Sequence, residues 1–206
     1  MPAKLHAHPW IAALGYKLAP KDGEIGYLCG GTLITNRHIL TAAHCIRDDL
    51  VTVLLGEQHL EKVKNFIKIQ IITKMQSKGT SEDGASPVSV DIKNVTTHHK
   101  YNKRNFNNDI AIITLSRDVQ YNDGIRPACL PSISENLEGD KVYIFENKHV
   151  SCFIKQTFQF ENDAVVVAGW GATKFRGPQS PDLLEGTIKV VNNTECSDKF
   201  KAFRQG

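Results

Sequence analysis

Short runs of apolar, β-branched residues punctuate this chain, and polar residues separate them. The runs cover 27–34, 51–55, 110–115, 164–169 and 186–191, with clusters of Gly, Pro, Asn and Asp between them. That is the pattern of short strands joined by turns. One helical turn is predicted over Thr41-Ala-Ala-His-Cys45. Strands at such intervals predict an all-β barrel or sandwich. Two stretches break the pattern. Residues 63–76 and 142–159 are rich in Ile, Lys, Asn, Phe and Tyr, yet show neither clean strand alternation nor helix caps. They are predicted to be exposed loops with few core contacts.

Length and composition set limits. The 206 residues suit one large domain or two small ones, and 41% apolar residues suffice for a core. A net charge of +3, spread along the chain, gives no case for nucleic acid or an anionic membrane as partner. No apolar run approaches the length of a membrane span. The start, Met1-Pro-Ala-Lys-Leu-His6, lacks the apolar region of a signal peptide.

Five cysteines at wide spacings, with no C-x-x-C pair, do not match a metal site. Cys29 and Cys45 flank one hairpin-like stretch, at a spacing compatible with a bridge. Asn94-Val-Thr96 and Asn192-Asn-Thr194 are triplets suited to a secreted chain. Five unpaired thiols in a reducing cytosol would be unusual.

The chemistry concentrates in three blocks. They are Leu28-Cys-Gly-Gly-Thr-Leu-Ile with Asn36-Arg-His-Ile-Leu-Thr-Ala-Ala-His44-Cys45, then Asn107-Asn-Asp109-Ile-Ala-Ile-Ile-Thr-Leu, then Val167-Ala-Gly-Trp-Gly171. In this order they resemble the chymotrypsin/trypsin-like serine proteases, peptidase family S1, and the resemblance runs from about Pro9 to Phe203. Arg126-Pro-Ala-Cys-Leu-Pro and Asn105-Phe-Asn-Asn-Asp resemble, more particularly, arthropod clip-domain and venom-type proteases.

The resemblance implies a double Greek-key β-barrel with the active site between the barrels. The whole of 1–206 would be a partial protease domain, with a first barrel over about 9–127 and an incomplete second barrel over about 128–206. It implies a serine-type endopeptidase, with His44 as general base and Asp109 as the carboxylate that orients it. The alternative is a non-catalytic protease homologue acting as a binding or cofactor module. The family's nucleophile motif, Gly-Asp-Ser-Gly-Gly, does not occur. Ser197 beside Cys196 and Ser180 in Pro-Gln-Ser-Pro lack its glycine setting. An incomplete fragment, inactive as written, is therefore expected. The family's activation site, Arg or Lys before Ile-Val-Gly-Gly, is also absent ahead of Pro9.

Further expectations come with the resemblance. Cys29–Cys45 matches the bridge behind the histidine loop. Cys129 matches a cysteine that tethers the domain to an upstream light chain or clip domain, and Cys196 one whose partner lies downstream. Neither is expected to pair within this chain. Substrates would be proteins or peptides, and the compartment extracellular, with the signal upstream of this sequence. No cofactor is expected. Glu57 sits where some trypsins begin a calcium loop, but one carboxylate falls short of the six or more oxygens calcium needs. It reads more simply as a solvated surface acid. The seven histidines other than His44 read as surface or loop residues.

Removing 63–76 and 142–159 would join Lys62 to Ser77 and Lys141 to Phe160, and both joins resemble ordinary family loops. Each stretch follows a lysine, opens on Val and closes on Gln, as a translated intron would. Genuine long loops are the other account, since loop closure costs grow slowly with length.

Overall fold

The structure is a computed structural model that describes residues 1–18, 24–61, 86–130, 142–147, 150–155, 164–174, 176–189, 191 and 198. Its strands are β1 (Ile11–Lys17), β2 (Ile25–Leu33), β3 (His38–Thr41), β4 (Leu50–Leu55), β5 (Val88–Thr97), β6 (Ala111–Leu115), β7 (Val142–Asn147), β8 (Val150–Lys155), β9 (Ala164–Gly169) and β10 (Leu184–Lys189). The first six close a barrel in the order β1-β2-β3-β6-β5-β4. β9 and β10 form a second, two-stranded sheet, and β7 and β8 a third. The chain is thus all-β, with one closed barrel.

Closure explains β1. Ala12, Leu14 and Tyr16 point into the barrel, where they meet Leu33, Ile39, Val53, Leu55, Ile113 and Leu115. Ala13, between them, is also buried, but on the outer face with Tyr27, Leu54, Trp170 and Leu183. A strand covered on both faces has no reason to alternate, so Ile-Ala-Ala-Leu-Gly-Tyr carries no period-two signal. By contrast β6 alternates, with Ala111, Ile113 and Leu115 inward and Ile112 exposed. Its outer face stays wet.

Two glycines set close approaches. A Cβ at Gly31 would lie 2.6 Å from Ile39 Cγ2 and 3.1 Å from the Leu40 carbonyl oxygen. Only glycine lets β2 lie so near β3. Gly56 has φ +71°, the left-handed region, as the chain leaves β4.

The stretch 142–159 departs from its expected loop. β7 and β8 pair antiparallel from Val142↔Lys155 to Asn147↔Val150. The apolar, β-branched content that looked unpatterned is enough to form a hairpin that pairs with itself. The stretch 63–76 lies outside the described residues.

Candidate active site

The antiparallel ladder between β3 and β6 runs from His38↔Thr114 to Thr41↔Ala111. It brings the end of β3 beside the start of β6. His44 follows Thr41 closely, in a 3-10 turn over Ala43–Cys45, and Asp109 precedes Ala111. Residues 65 apart in sequence therefore meet.

Asp109 Oδ2 lies 2.6 Å from His44 Nδ1. Its other oxygen, Oδ1, accepts the His44 backbone N–H at 2.8 Å. One carboxylate thus holds both the ring and the backbone of the histidine. The His44 side chain is 49% exposed and that of Asp109 20%. Partial desolvation acts to raise the Asp109 pKa. The His44 ring, the His44 backbone N–H and the Ala43 backbone outweigh it and hold the carboxyl below its usual value.

With Asp109 accepting at Nδ1, the neutral imidazole carries its proton there and its lone pair at Nε2. Nε2 lies 3.6 Å from Cys45 Sγ. That sulfur is bonded to Cys29, with Cα atoms 6.1 Å apart. A disulfide sulfur has no proton to donate, so it makes no hydrogen bond to the Nε2 lone pair. For the same reason Cys29, His44 and Cys45, though their donor atoms cluster within 4.8 Å, offer no thiolate to a metal. The expected Cys29–Cys45 bridge is present and pins the turn that carries His44 to β2.

The loop before Asp109 is built by asparagines. Asn102 Oδ1 accepts the Arg104 N–H at 2.9 Å, and Asn105 Oδ1 the Asn107 N–H at 3.1 Å. Asn108 Nδ2 donates to the Lys100 carbonyl at 3.0 Å. Side-chain turns of this kind are why Asn favours such positions. Asn108 and Phe106 take left-handed backbone, with φ +55° and +56°. Asparagine tolerates this well, whereas for phenylalanine it is uncommon. Phe106 is 57% exposed and stands edge-on to His44, with centroids 6.0 Å apart at 84°. Nothing in the sequence singled it out.

The third block does different work. Trp170 is buried against Ala13, Leu54 and Leu183, and its indole N–H donates to the Gln58 carbonyl at 3.3 Å. It locks the β9–β10 side of the molecule onto the barrel. A cleft of about 600 Å³ opens beside it, between β2 and β9, lined among others by Leu28, Cys29, Thr41, Val167 and Gln179.

Two sequence readings need correction. Cys129, expected to have no partner within the chain, is half of a disulfide whose other half lies outside the described side chains. Cys196 itself lies outside the described residues. Glu57 is not a solvated surface acid. It is 4% exposed, and its Oε1 accepts the backbone N–H groups of Gln58 at 2.7 Å and His59 at 2.8 Å. That oxygen serves the local turn. Among the described histidines, His8 Nε2 lies 2.7 Å from Glu185 and His59 Nδ1 2.5 Å from Asp182, hydrogen-bond contacts that reach across the molecule.

The comparisons agree with this geometry. The profile of the trypsin family matches residues 1–151. The chain is 35% identical to a venom serine protease of Bombus ignitus over 98% of this chain and 46% of that one. It is 34% identical to a venom protease of Bombus pensylvanicus over 97% of this chain and 68% of that one. Among solved structures, the Drosophila Grass clip serine protease of the Toll pathway superposes with a TM-score of 0.63. The identity there is 27%, over 97% of this chain and 48% of that one. The chain belongs to the trypsin family of serine endopeptidases. It spans about half the length of several curated relatives it matches, including the Bombus ignitus protein.

Proposed function

We propose that His44 and Asp109 are the base and the orienting carboxylate of an extracellular endopeptidase that acts on protein or peptide substrates. The observation that carries this is the double grip of Asp109 on His44, at 2.6 Å to the ring and 2.8 Å to the backbone. Nε2 takes the proton of a serine hydroxyl as the serine oxygen attacks the scissile carbonyl. The imidazolium so formed is stabilised by Asp109 and returns the proton to the leaving amine. Water then repeats the sequence on the acyl-enzyme. The similarity to two Bombus venom proteases supports the extracellular setting.

The serine is the part these 206 residues do not supply, since they contain no Gly-Asp-Ser-Gly-Gly. As an isolated polypeptide they are expected to cleave no peptide. Without the serine there is also no neighbouring amide pair to stabilise an oxyanion. Titration with a serine-directed fluorophosphonate should label nothing. Stoichiometric labelling of Ser180 or Ser197 would overturn the assignment. Reading the transcript beyond the codon for Gly206 tests the endopeptidase itself. Gly-Asp-Ser-Gly-Gly supports it, and a different residue in place of the serine makes the protein a non-catalytic binding homologue.

A further inference from the structure

Asn94-Val95-Thr96 lies on β5. Alternation along a strand puts Asn94 and Thr96 on one face and Val95 on the other. Val95 packs against the barrel core, whereas Asn94 and Thr96 are exposed. Two features set this place apart from an ordinary strand. β4 pairs with β5 only over 88–91, so among the described residues the stretch 92–97 is held by β6 alone. The register also shifts between Ile92 and Asn94, leaving Lys93 as a bulge. A bulge at an open edge re-aims the side chains that follow it.

We infer that Asn94 is an N-glycan acceptor, its amide nitrogen taking an oligosaccharide from a polyprenyl-diphosphate donor. The nitrogen attacks the anomeric carbon and a C–N bond forms. The bond from that carbon to the diphosphate oxygen breaks, and polyprenyl diphosphate leaves with the electron pair. One amide proton passes to a base of the transferase, and nothing is oxidised or reduced. A glycan here covers the half-paired edge of β5, where another strand would otherwise add.

The inference rests on the extracellular reading, so the test supplies the route itself. The full 206-residue chain is translated behind a cleavable signal sequence in the presence of microsomes, and only the protease-protected fraction is scored. An Asn192→Gln background removes the other triplet. In that background the chain should show one mobility shift that endoglycosidase H reverses. Asn94→Gln and Thr96→Ala should each abolish it, and Thr96→Ser should keep it. A protected chain that runs with the Asn94→Gln variant overturns the inference. That outcome would count against Asn94 alone. The natural compartment is read separately, by locating the untagged protein in the medium or the cells of its source.

Discussion

Asp109 holds His44 by two contacts, ring first and backbone second, and together they have a thermodynamic signature. Its carboxyl titrates below the ordinary aspartate value of about 3.9. As pH falls, the unfolded chain therefore takes up this proton first. The stabilisation is fully present above about pH 4 and is lost as pH drops through the folded value. Asp109→Asn should lower the urea midpoint at pH 6, and its difference from the parent should shrink towards pH 3. A difference independent of pH would contradict the linkage. Tyr16 gives the mirror case. Its hydroxyl donates to the Cys45 carbonyl at 2.7 Å inside the barrel. Burial pushes its pKa up to about 12, although the Arg47 guanidinium over its ring pulls the other way. Here the stabilisation is full below about pH 10, the ordinary value, and is lost as pH rises through the folded one. Tyr16→Phe should cost about 1 kcal/mol at neutral pH, and the cost should fade in alkaline urea titrations.

At the scale of elements, the site is a product of strand pairing plus one covalent stitch. The β3–β6 ladder fixes where the segments carrying His44 and Asp109 start. The disulfide then holds the 3-10 turn against β2, across a sequence separation of 16. A loop of that size corresponds to about 3 kcal/mol of unfolded-state entropy. Replacing Cys29 and Cys45 together by alanine should lower stability by about that amount in chemical denaturation. It should also raise hydrogen exchange at residues 43–46 more than in β4. Uniform loss of protection would mean that the bridge stabilises the barrel generally and does not specifically hold the turn. The asparagine-capped loop before Asp109 needs no such stitch, because its side chains replace the missing ladder bonds.

At the scale of the molecule, the β9–β10 sheet is seated on the outer face of the closed barrel. Ala13 and Leu54 reach outward from barrel strands to meet Trp170 and Leu183. The His8–Glu185 and His59–Asp182 pairs flank this contact. The N-terminus adds to this seat, with Pro2 bridging Leu184 and the Ala3 N–H donating to the Leu183 carbonyl at 2.9 Å, while Val166, Val167 and Ile188 remain exposed. Two strands alone are marginal in water, so the ribbon depends on its seat. Trp170→Ala should cost about 3 kcal/mol. In hydrogen exchange, β9 and β10 should lose protection while β3 and β6 keep theirs. Equal loss in β3 and β6 would show that the two parts unfold as one unit.

The sequence by itself picked out His44 and Asp109 as the candidate pair and determined the strand-rich class. His44, Asp109 and Trp170 each sit in a dense local block, and the barrel strands with one wet face, such as β6, carry the alternation that marks a strand. The Cys29–Cys45 bridge was legible for the same reason, both halves lying in one block. Tertiary structure decided the rest. β1 hides from pattern reading because both its faces are buried. The carboxylate of Glu57 turned inward because the chain after β4 presents two backbone N–H groups to it, which composition does not record. The hydrogen-bond contacts of His8 and His59 join residues 177 and 123 positions apart. No local period reports a partner at that range, since only the closed barrel and its second sheet bring such side chains together.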